Sequence, residues 1–341
     1  MAGVRSVLRT IPDLVRFFGG YGVFLLRGTT PAYSYAAMRR LHCQSNGYLN
    51  DGAAFLAGIA HPPKKEPRPK GVLVASDDGE IHQAAESLQR DGYHVFPSLL
   101  PKDDVERLRS LATEIACTPT VAGKGLAHRG PYHAIRDSSS RFDFSISDIC
   151  RPPQVQSLLA DDSIRALAVD YLGCTPILDL VAMWWSRPNP QAIDLSSEAA
   201  QLFHFDMDRL KFLKFFFYLT DVDTENGPHC VIRGSHRRKP RSVLVDGRHS
   251  DASLHAVYPE SAFVEVCGPA GTILAVDTRA FHKGKPLIRG ERLLLQIQFS
   301  ISLFGQSFET VPLTQTIDRL RSVMHDHPRT YRIFEPVNAE S

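Results

Sequence analysis

The chain lacks an excess of charge of either sign: 39 lysines and arginines stand against 37 aspartates and glutamates, for a formal net charge of +2 over 341 residues. The charges are mostly interspersed, so no global field favours nucleic acid or an anionic membrane, and neither is expected as a partner. Cysteine is sparse and scattered. Cys43, Cys117, Cys150, Cys174, Cys230 and Cys267 form no Cys-x-x-Cys pair and no dense framework, which excludes the disulfide-stapled secreted class and suits a reduced, cytoplasmic setting. No apolar run is long enough to span a bilayer. The run Phe17 to Leu26 follows Arg5, Arg9 and Arg16 in the manner of a signal peptide, yet Gly19, Gly20 and Gly22 interrupt it and no small-residue cleavage site follows closely. A folded amphipathic helix is the expectation there. Internal repeats and low-complexity tracts are also missing, and 43% hydrophobic with 22% charged residues describes an ordinary globular chain with one large core plus appendages.

What is present divides the chain in four. Residues 1–60 read as a helical N-terminal extension, including Ala36 to Leu41 and Ala53 to Ile59, serving as a cap on the main domain or a dimer contact. Residues 61–80 are a Pro/Lys-rich linker, because the prolines of His61-Pro-Pro-Lys-Lys-Glu-Pro-Arg-Pro-Lys70 forbid a regular element and leave a stiff exposed connector. Residues 81–310 carry the regular pattern. A helix is expected over Ile81 to Gln89, a strand over Tyr93 to Phe96, and a second helix after Pro101 with Val105, Leu108, Leu111, Ala112 and Ile115 on one apolar stripe. A helix over Val155 to Leu172 should close at Gly173. Strand-like runs then follow at Ile177 to Trp185, Lys211 to Thr220, Ala262 to Cys267, Thr272 to Val276 and Arg292 to Ser302, punctuated by glycine and proline. Short strands without intervening helices predict an antiparallel double-sheet barrel with flanking helices, mainly β within an α+β class. Residues 311–341 form a C-terminal helix, Thr314 to His325, and a tail.

The chemistry concentrates at His204-Phe-Asp-Met-Asp208. In an extended segment, positions i and i+2 share a face, so His204 and Asp206 present an imidazole and a carboxylate to one ion. A facial site of two histidines and one carboxylate needs one more imidazole and leaves positions open. His282, a short turn beyond the strand Thr272 to Val276, is the best candidate. Asp208 repeats the spacing, but three same-face ligands would overfill such a site, so it is expected beside the ligands or facing solvent. Arg292 opens the next strand, and arginine holds a carboxylate with two parallel hydrogen bonds without losing its charge when buried. An oxygenase with an organic acid as co-substrate needs this combination: an acid chelating iron at one end and gripped by a cation at the other, with dioxygen in the last open position.

The order of pieces resembles the phytanoyl-CoA dioxygenase family. Those pieces are His204-x-Asp206 before an apolar strand, Asn226-Gly-Pro-His-Cys-Val-Ile-Arg-Gly-Ser-His236, Gly271-Thr-Ile-Leu-Ala-Val-Asp277, Phe281-His282 and Arg292. With Asp91-Gly-Tyr-His-Val-Phe-Pro97, the resemblance runs from about Ile81 to Ser302. It implies a double-stranded β-helix (jelly-roll or cupin-like) fold and an Fe(II)- and 2-oxoglutarate-dependent dioxygenase hydroxylating a small or acylated organic substrate, with succinate and CO2 as co-products of O2 use. His204, Asp206 and His282 fall on the family's iron ligands, and Arg292 on the arginine for the far carboxylate of 2-oxoglutarate. The family often has serine or threonine two residues after the distal histidine; here that place is Gly284. Lys214, interrupting an apolar strand at even spacing from the ligand edge, is the candidate to compensate as a co-substrate or substrate contact.

Rival readings are a zinc or manganese hydrolase or isomerase on a cupin-like barrel, which has no need for Arg292, and a non-catalytic jelly-roll binding module. Halogenation is disfavoured because Asp206 supplies the carboxylate that such sites omit. His229 and His236 are expected at a structural corner, and His128 and His133 in a loop near the mouth. Of the adjacent Trp184 and Trp185, one should face inward. The basic run Arg233, Arg237, Arg238, Lys239 and Arg241 is either a solvated turn or an anion site.

Overall fold

Alternation along the central strands sets the architecture. In a computed structural model, residues 2–64, 69–74, 79–120, 128–188, 202–313 and 315–336 are described. The middle of the expected connector and residues 121–127 and 189–201 lie outside the described residues. The strands are β1 (Tyr93–Leu99), β2 (Ala116–Pro119), β3 (Gly130–Pro131), β4 (Arg141–Phe144), β5 (Ile177–Ser186), β6 (Phe212–Tyr218), β7 (His229–Ile232), β8 (Phe263–Val266), β9 (Thr272–Val276), β10 (His282–Gly284), β11 (Arg292–Ser300), β12 (Val311–Leu313) and β13 (Phe334–Pro336). An eight-stranded antiparallel sheet has the order β1-β9-β6-β11-β5-β4-β2-β3, and a three-stranded antiparallel sheet the order β10-β7-β8.

Side chains on the central strands take opposite faces at a period of two. Met183, Trp185, Leu213, Phe215, Phe217, Ile273, Leu293 and Leu295 point to one face and pack in the main core with the helices. Their neighbours Trp184, Phe216, Tyr218, Leu274, Val276 and Leu294 point to the other, where Val231 of β7 and Val266 of β8 complete a second core between the sheets. Burial on both faces explains why these strands read as nearly continuous apolar runs. The Tyr218 hydroxyl donates to the Val266 carbonyl at 2.8 Å and ties the sheets together. By the same parity, Lys214, Arg292 and Ser186 face the inter-sheet side, with Arg292 registered opposite Ser186 and Leu294 opposite Trp184.

The helices follow the expected positions with one correction. The single helix expected over Val155 to Leu172 is two, Pro153–Leu159 and Asp162–Leu172. Asp161 breaks it, because its carboxylate accepts the Ile164 N–H as a cap at 3.0 Å; Gly173 then ends the second helix at φ 72°. Near the C-terminus the helix is Asp318–Asp326, preceded by β12, which pairs in parallel with β13. The helices Ala2–Arg27, Ala32–Ser45 and Tyr48–Ala60 pack on the body of the protein: Phe17, Tyr21 and Phe24 surround Phe304 with ring centroids 5.2 to 5.6 Å apart. Past the prolines, the stretch expected to be exposed turns inward. Leu73 is buried, and Asp161 accepts the Val72 N–H at 2.9 Å. Among the described residues, no helix is long and apolar enough to cross a membrane.

Candidate functional site

The segment containing His204 runs antiparallel beside the start of β10. His204 N–H donates to the His282 carbonyl at 3.0 Å and His282 N–H to the His204 carbonyl at 2.8 Å. The pair is therefore directly opposed, and the two rings stand 4.4 Å apart at 47°. Two residues on, Asp206 N–H donates to the Thr278 carbonyl at 2.8 Å, which fixes the carboxylate on the same face. His204 Nε2 lies 3.5 Å from Asp206 Oδ1, and His282 Nε2 lies 3.4 Å from Asp206 Oδ2. The three ligand atoms fall within 4.8 Å of one another, and they are the one such group of three His, Cys, Asp or Glu side chains among the described residues.

The imidazoles are oriented from behind. Nδ1 of His204 faces the Leu202 carbonyl at 3.2 Å, and Nδ1 of His282 faces the Ala280 carbonyl at 3.1 Å. Each Nδ1 therefore carries the proton and each Nε2 offers its lone pair to the centre. Burial pushes His204 down to about 3, with His282 adding to the effect, and burial lowers His282 as well. Both shifts favour the neutral imidazole, the form able to ligate a metal. For Asp206, burial favours the protonated acid, but Lys214 and the two imidazoles outweigh it and hold the carboxyl below the usual carboxylate range.

Lys214 enters the site from β6. Its Nζ donates to Asp206 Oδ2 at 2.7 Å and to Asp208 Oδ2 at 3.0 Å. Asp208 thus stands beside the ligand set as a second anchor for the lysine, and the ammonium is satisfied by protein carboxylates. Burial opposes its charge, yet Asp206 and Asp208 outweigh burial and raise its proton affinity.

Arg292 is the opposite case. It is 7% exposed, its Nε has no hydrogen-bond partner among the described residues, and its closest polar contact is Ser186 Oγ, 3.5 Å from Nη2. No carboxylate of the described residues pairs with it, and burial lowers its proton affinity. A buried, unpaired guanidinium is costly and calls for an anion. Arg292 shares a cavity of about 350 Å³ with His204, Asp206, Lys214 and His282. Gly284 also lines it, and a Cβ there would meet Arg292 Nη2 at 3.8 Å, an ordinary contact. The donor set of two neutral imidazoles, one carboxylate and a facing guanidinium fits a divalent iron with a chelating diacid.

Other cavity residues divide into walls and charges. Trp184 is the inward ring, with the Arg141 guanidinium 4.4 Å from its centroid, whereas Trp185 points to the main core and gives Nε1–H to the Ala112 carbonyl at 3.0 Å. His229 lines the cavity as well, stacked on His282 at 5.5 Å and 18°, and its Nε2 is buried without a hydrogen-bond partner among the described residues. His236 does not reach the cavity and packs at the corner, its Nε2 on the Gln89 carbonyl. His133 faces the Thr113 carbonyl, and neither it nor His128 lines the cavity. Arg248 was not singled out in the sequence, and nothing there marks it. It sits on the irregular segment just before His249, whose backbone pairs with Phe203, and it lines the cavity with no side-chain partner among the described residues.

Residues 88–288 match the model of the phytanoyl-CoA dioxygenase family. The match ends before Arg292, whose place in the site comes from the structure. The chain is 24% identical over 248 residues to an ectoine dioxygenase of Stutzerimonas stutzeri (strain A1501), covering 65% of this chain and 80% of that one. Similar solved structures include the non-heme alpha ketoglutarate dependent epimerase SnoN from nogalamycin biosynthesis, at 18% identity and TM-score 0.47, over 66% of this chain and 84% of that one. HygX from Streptomyces hygroscopicus, with nickel and 2-oxoglutarate bound, is similar at 16% identity and TM-score 0.46, over 70% and 93%.

Proposed function

The chain belongs to the phytanoyl-CoA dioxygenase family and is an Fe(II)- and 2-oxoglutarate-dependent dioxygenase, and we propose that His204, Asp206 and His282 hold its iron while Arg292 grips the far carboxylate of 2-oxoglutarate. The eight-stranded sheet facing the three-stranded one is read as a double-stranded β-helix, with 81–310 as the oxygenase domain. The carrying observation is that three ligand atoms within 4.8 Å share one cavity with a buried guanidinium that lacks an anion. A hydrolase or a bare binding module gives that guanidinium nothing to hold. When bound, iron and 2-oxoglutarate supply the oxidising power: O2 is consumed, 2-oxoglutarate leaves as succinate and CO2, and a C–H bond of the substrate becomes C–OH.

The chain's own residues do the positioning. Lys214 keeps Asp206 ionised, and the Leu202 and Ala280 carbonyls keep both imidazoles in the ligating tautomer. Trp184, Phe216 and Leu294 wall the cavity and exclude water from the reacting centre. Once 2-oxoglutarate occupies Arg292, Arg248, which feels the charge of Asp206 but has no hydrogen-bonded partner among the described residues, is the cation left to receive an anion, so the substrate is read as a small or acylated organic molecule bearing an anionic group. The family name does not make phytanoyl-CoA that substrate, because one fold hosts many. The free thiols of all six cysteines suit a cytoplasmic enzyme.

A screen for succinate release tests both parts. His204→Ala and Asp206→Ala should abolish iron-dependent succinate formation, and turnover unchanged in both would remove the ligand assignment. Carboxylate- or phosphate-bearing candidates should stimulate release more than their neutral esters or amides. Equal stimulation by the neutral forms would remove the role of Arg248.

A further inference from the structure

A second cavity lies apart from the reaction cavity. A cleft of about 750 Å³ lies where the helices Tyr48–Ala60 and Glu80–Asp91 meet the corner 236–238, and it shares no lining residue with the reaction cavity. The basic run of the sequence is divided here. Arg237 and Arg238 line the cleft, while the Lys239 ammonium is buried behind it, on the Arg279 carbonyl at 2.6 Å.

Five cations line the cleft, and their partners differ. Arg90 is taken by Asp91 at 2.7 Å, and Arg238 by Asp51 at 2.8 Å. Arg279 grips Asp277 through Nε and Nη2, and the nearest carboxylate oxygen recorded for its Nη1 is Asp51 Oδ1, at 3.9 Å. Lys211 and Arg237 have no carboxylate partner among the described residues; the Lys211 ammonium reaches only the Tyr171 carbonyl, at 3.1 Å. Burial and the nearby Arg279 push Lys211 down to about 8, the mark of a cation short of counter-charge. The other acid on the wall, Glu86, is exposed and faces His82 at 3.5 Å.

We infer that this cleft is a second binding site, for a phosphate-bearing small molecule held by Lys211, Arg237 and the free edge of Arg279. Donors that line one cleft from β6's entry, from the corner and from the turn before β10 suit a tetrahedral, multiply charged anion, whose oxygens point out of any single plane, whereas the acceptor sites of a carboxylate lie near its own plane. The site also adjoins the turn behind the proposed iron ligands, since Arg279 lies between Thr278 and Ala280, whose carbonyls hold Asp206 and His282.

The test is calorimetric titration of inorganic pyrophosphate into the full chain, stripped of metal, at low ionic strength. Wild type should bind it. Lys211→Met should weaken binding about tenfold or more. Arg237→Gln, on an exposed side chain that folding does not need, should weaken it about threefold. Any binding to the reaction cavity should vanish in Arg292→Met and Arg248→Met, while the binding event that Lys211→Met weakens keeps its affinity in both. Absence of binding by wild type would overturn the inference. So would binding lost in Arg292→Met or Arg248→Met but kept in Arg237→Gln, which would place the anion in the other cavity.

Discussion

Replacing Arg292 with methionine should make the metal-free protein more stable and the enzyme useless. The guanidinium is 7% exposed, its Nε is unpartnered, and Ser186 Oγ at 3.5 Å is a poor substitute for an anion. Phe216 and Leu294 of the same cavity offer a methionine apolar contacts. Exchanging a buried ion pair for hydrophobic side chains of similar volume is neutral or stabilising by about 1–4 kcal/mol, and here no partner charge is left behind. Against this, truncating one partner of a buried charge pair costs about 2–5 kcal/mol of binding, so the dissociation constant for 2-oxoglutarate should rise about 30-fold or more. Anaerobic urea denaturation, with nickel in place of iron and with or without 2-oxoglutarate, reads both effects. Wild type should gain about 2.7 kcal/mol when 2-oxoglutarate is present at 100 times its dissociation constant, and the variant less than about 1 kcal/mol. A variant that is less stable without ligand and still stabilised by 2-oxoglutarate would refute the reasoning, because Arg292 would then be a structural residue whose counter-charge had been missed.

Two further substitutions follow from the same geometry. Lys214→Met leaves Asp206 and Asp208 without their cation, so the metal-free protein should lose about 3–5 kcal/mol of stability. Nickel should restore much of this by taking over Asp206, and an equal loss with and without metal in denaturation curves would show that Lys214 does not act through that ligand. Gly284→Ser should be tolerated, since a Cβ there meets only Arg292 Nη2 at 3.8 Å. One added hydroxyl beside the guanidinium should tighten 2-oxoglutarate about two- to tenfold, measured by anaerobic titration; weaker binding would mean that the hydroxyl crowds the site.

Strand parity made much of the site legible. The i, i+2 spacing of His204 and Asp206 depends only on the two-residue period, Lys214 is marked by a charge interrupting an apolar strand and Arg292 by its place at a strand start, and the structure puts all four side chains and His282 around one cavity. The partner of Lys214 was not legible as such. The sequence showed an ammonium interrupting an apolar strand, but that Asp208 would turn back to share it depends on the irregular path between Asp206 and β6. The split helix was missed because Asp161 acts through a capping hydrogen bond, which leaves the apolar periodicity on either side unbroken. Arg248 had no signal at all, being placed by a single bridge between His249 and Phe203 far from any regular pattern. The division of the basic run into a cleft wall and a buried lysine likewise depends on helices more than a hundred residues earlier in the chain.

Anaerobic titration of Fe(II) into wild type and Asp206→Ala, each with 2-oxoglutarate and followed by the visible absorption of the ternary complex, tests the central claim most directly. The account predicts one iron and one 2-oxoglutarate per wild-type chain and loss of the complex in the variant. A complex of unchanged stoichiometry and affinity in Asp206→Ala would contradict it.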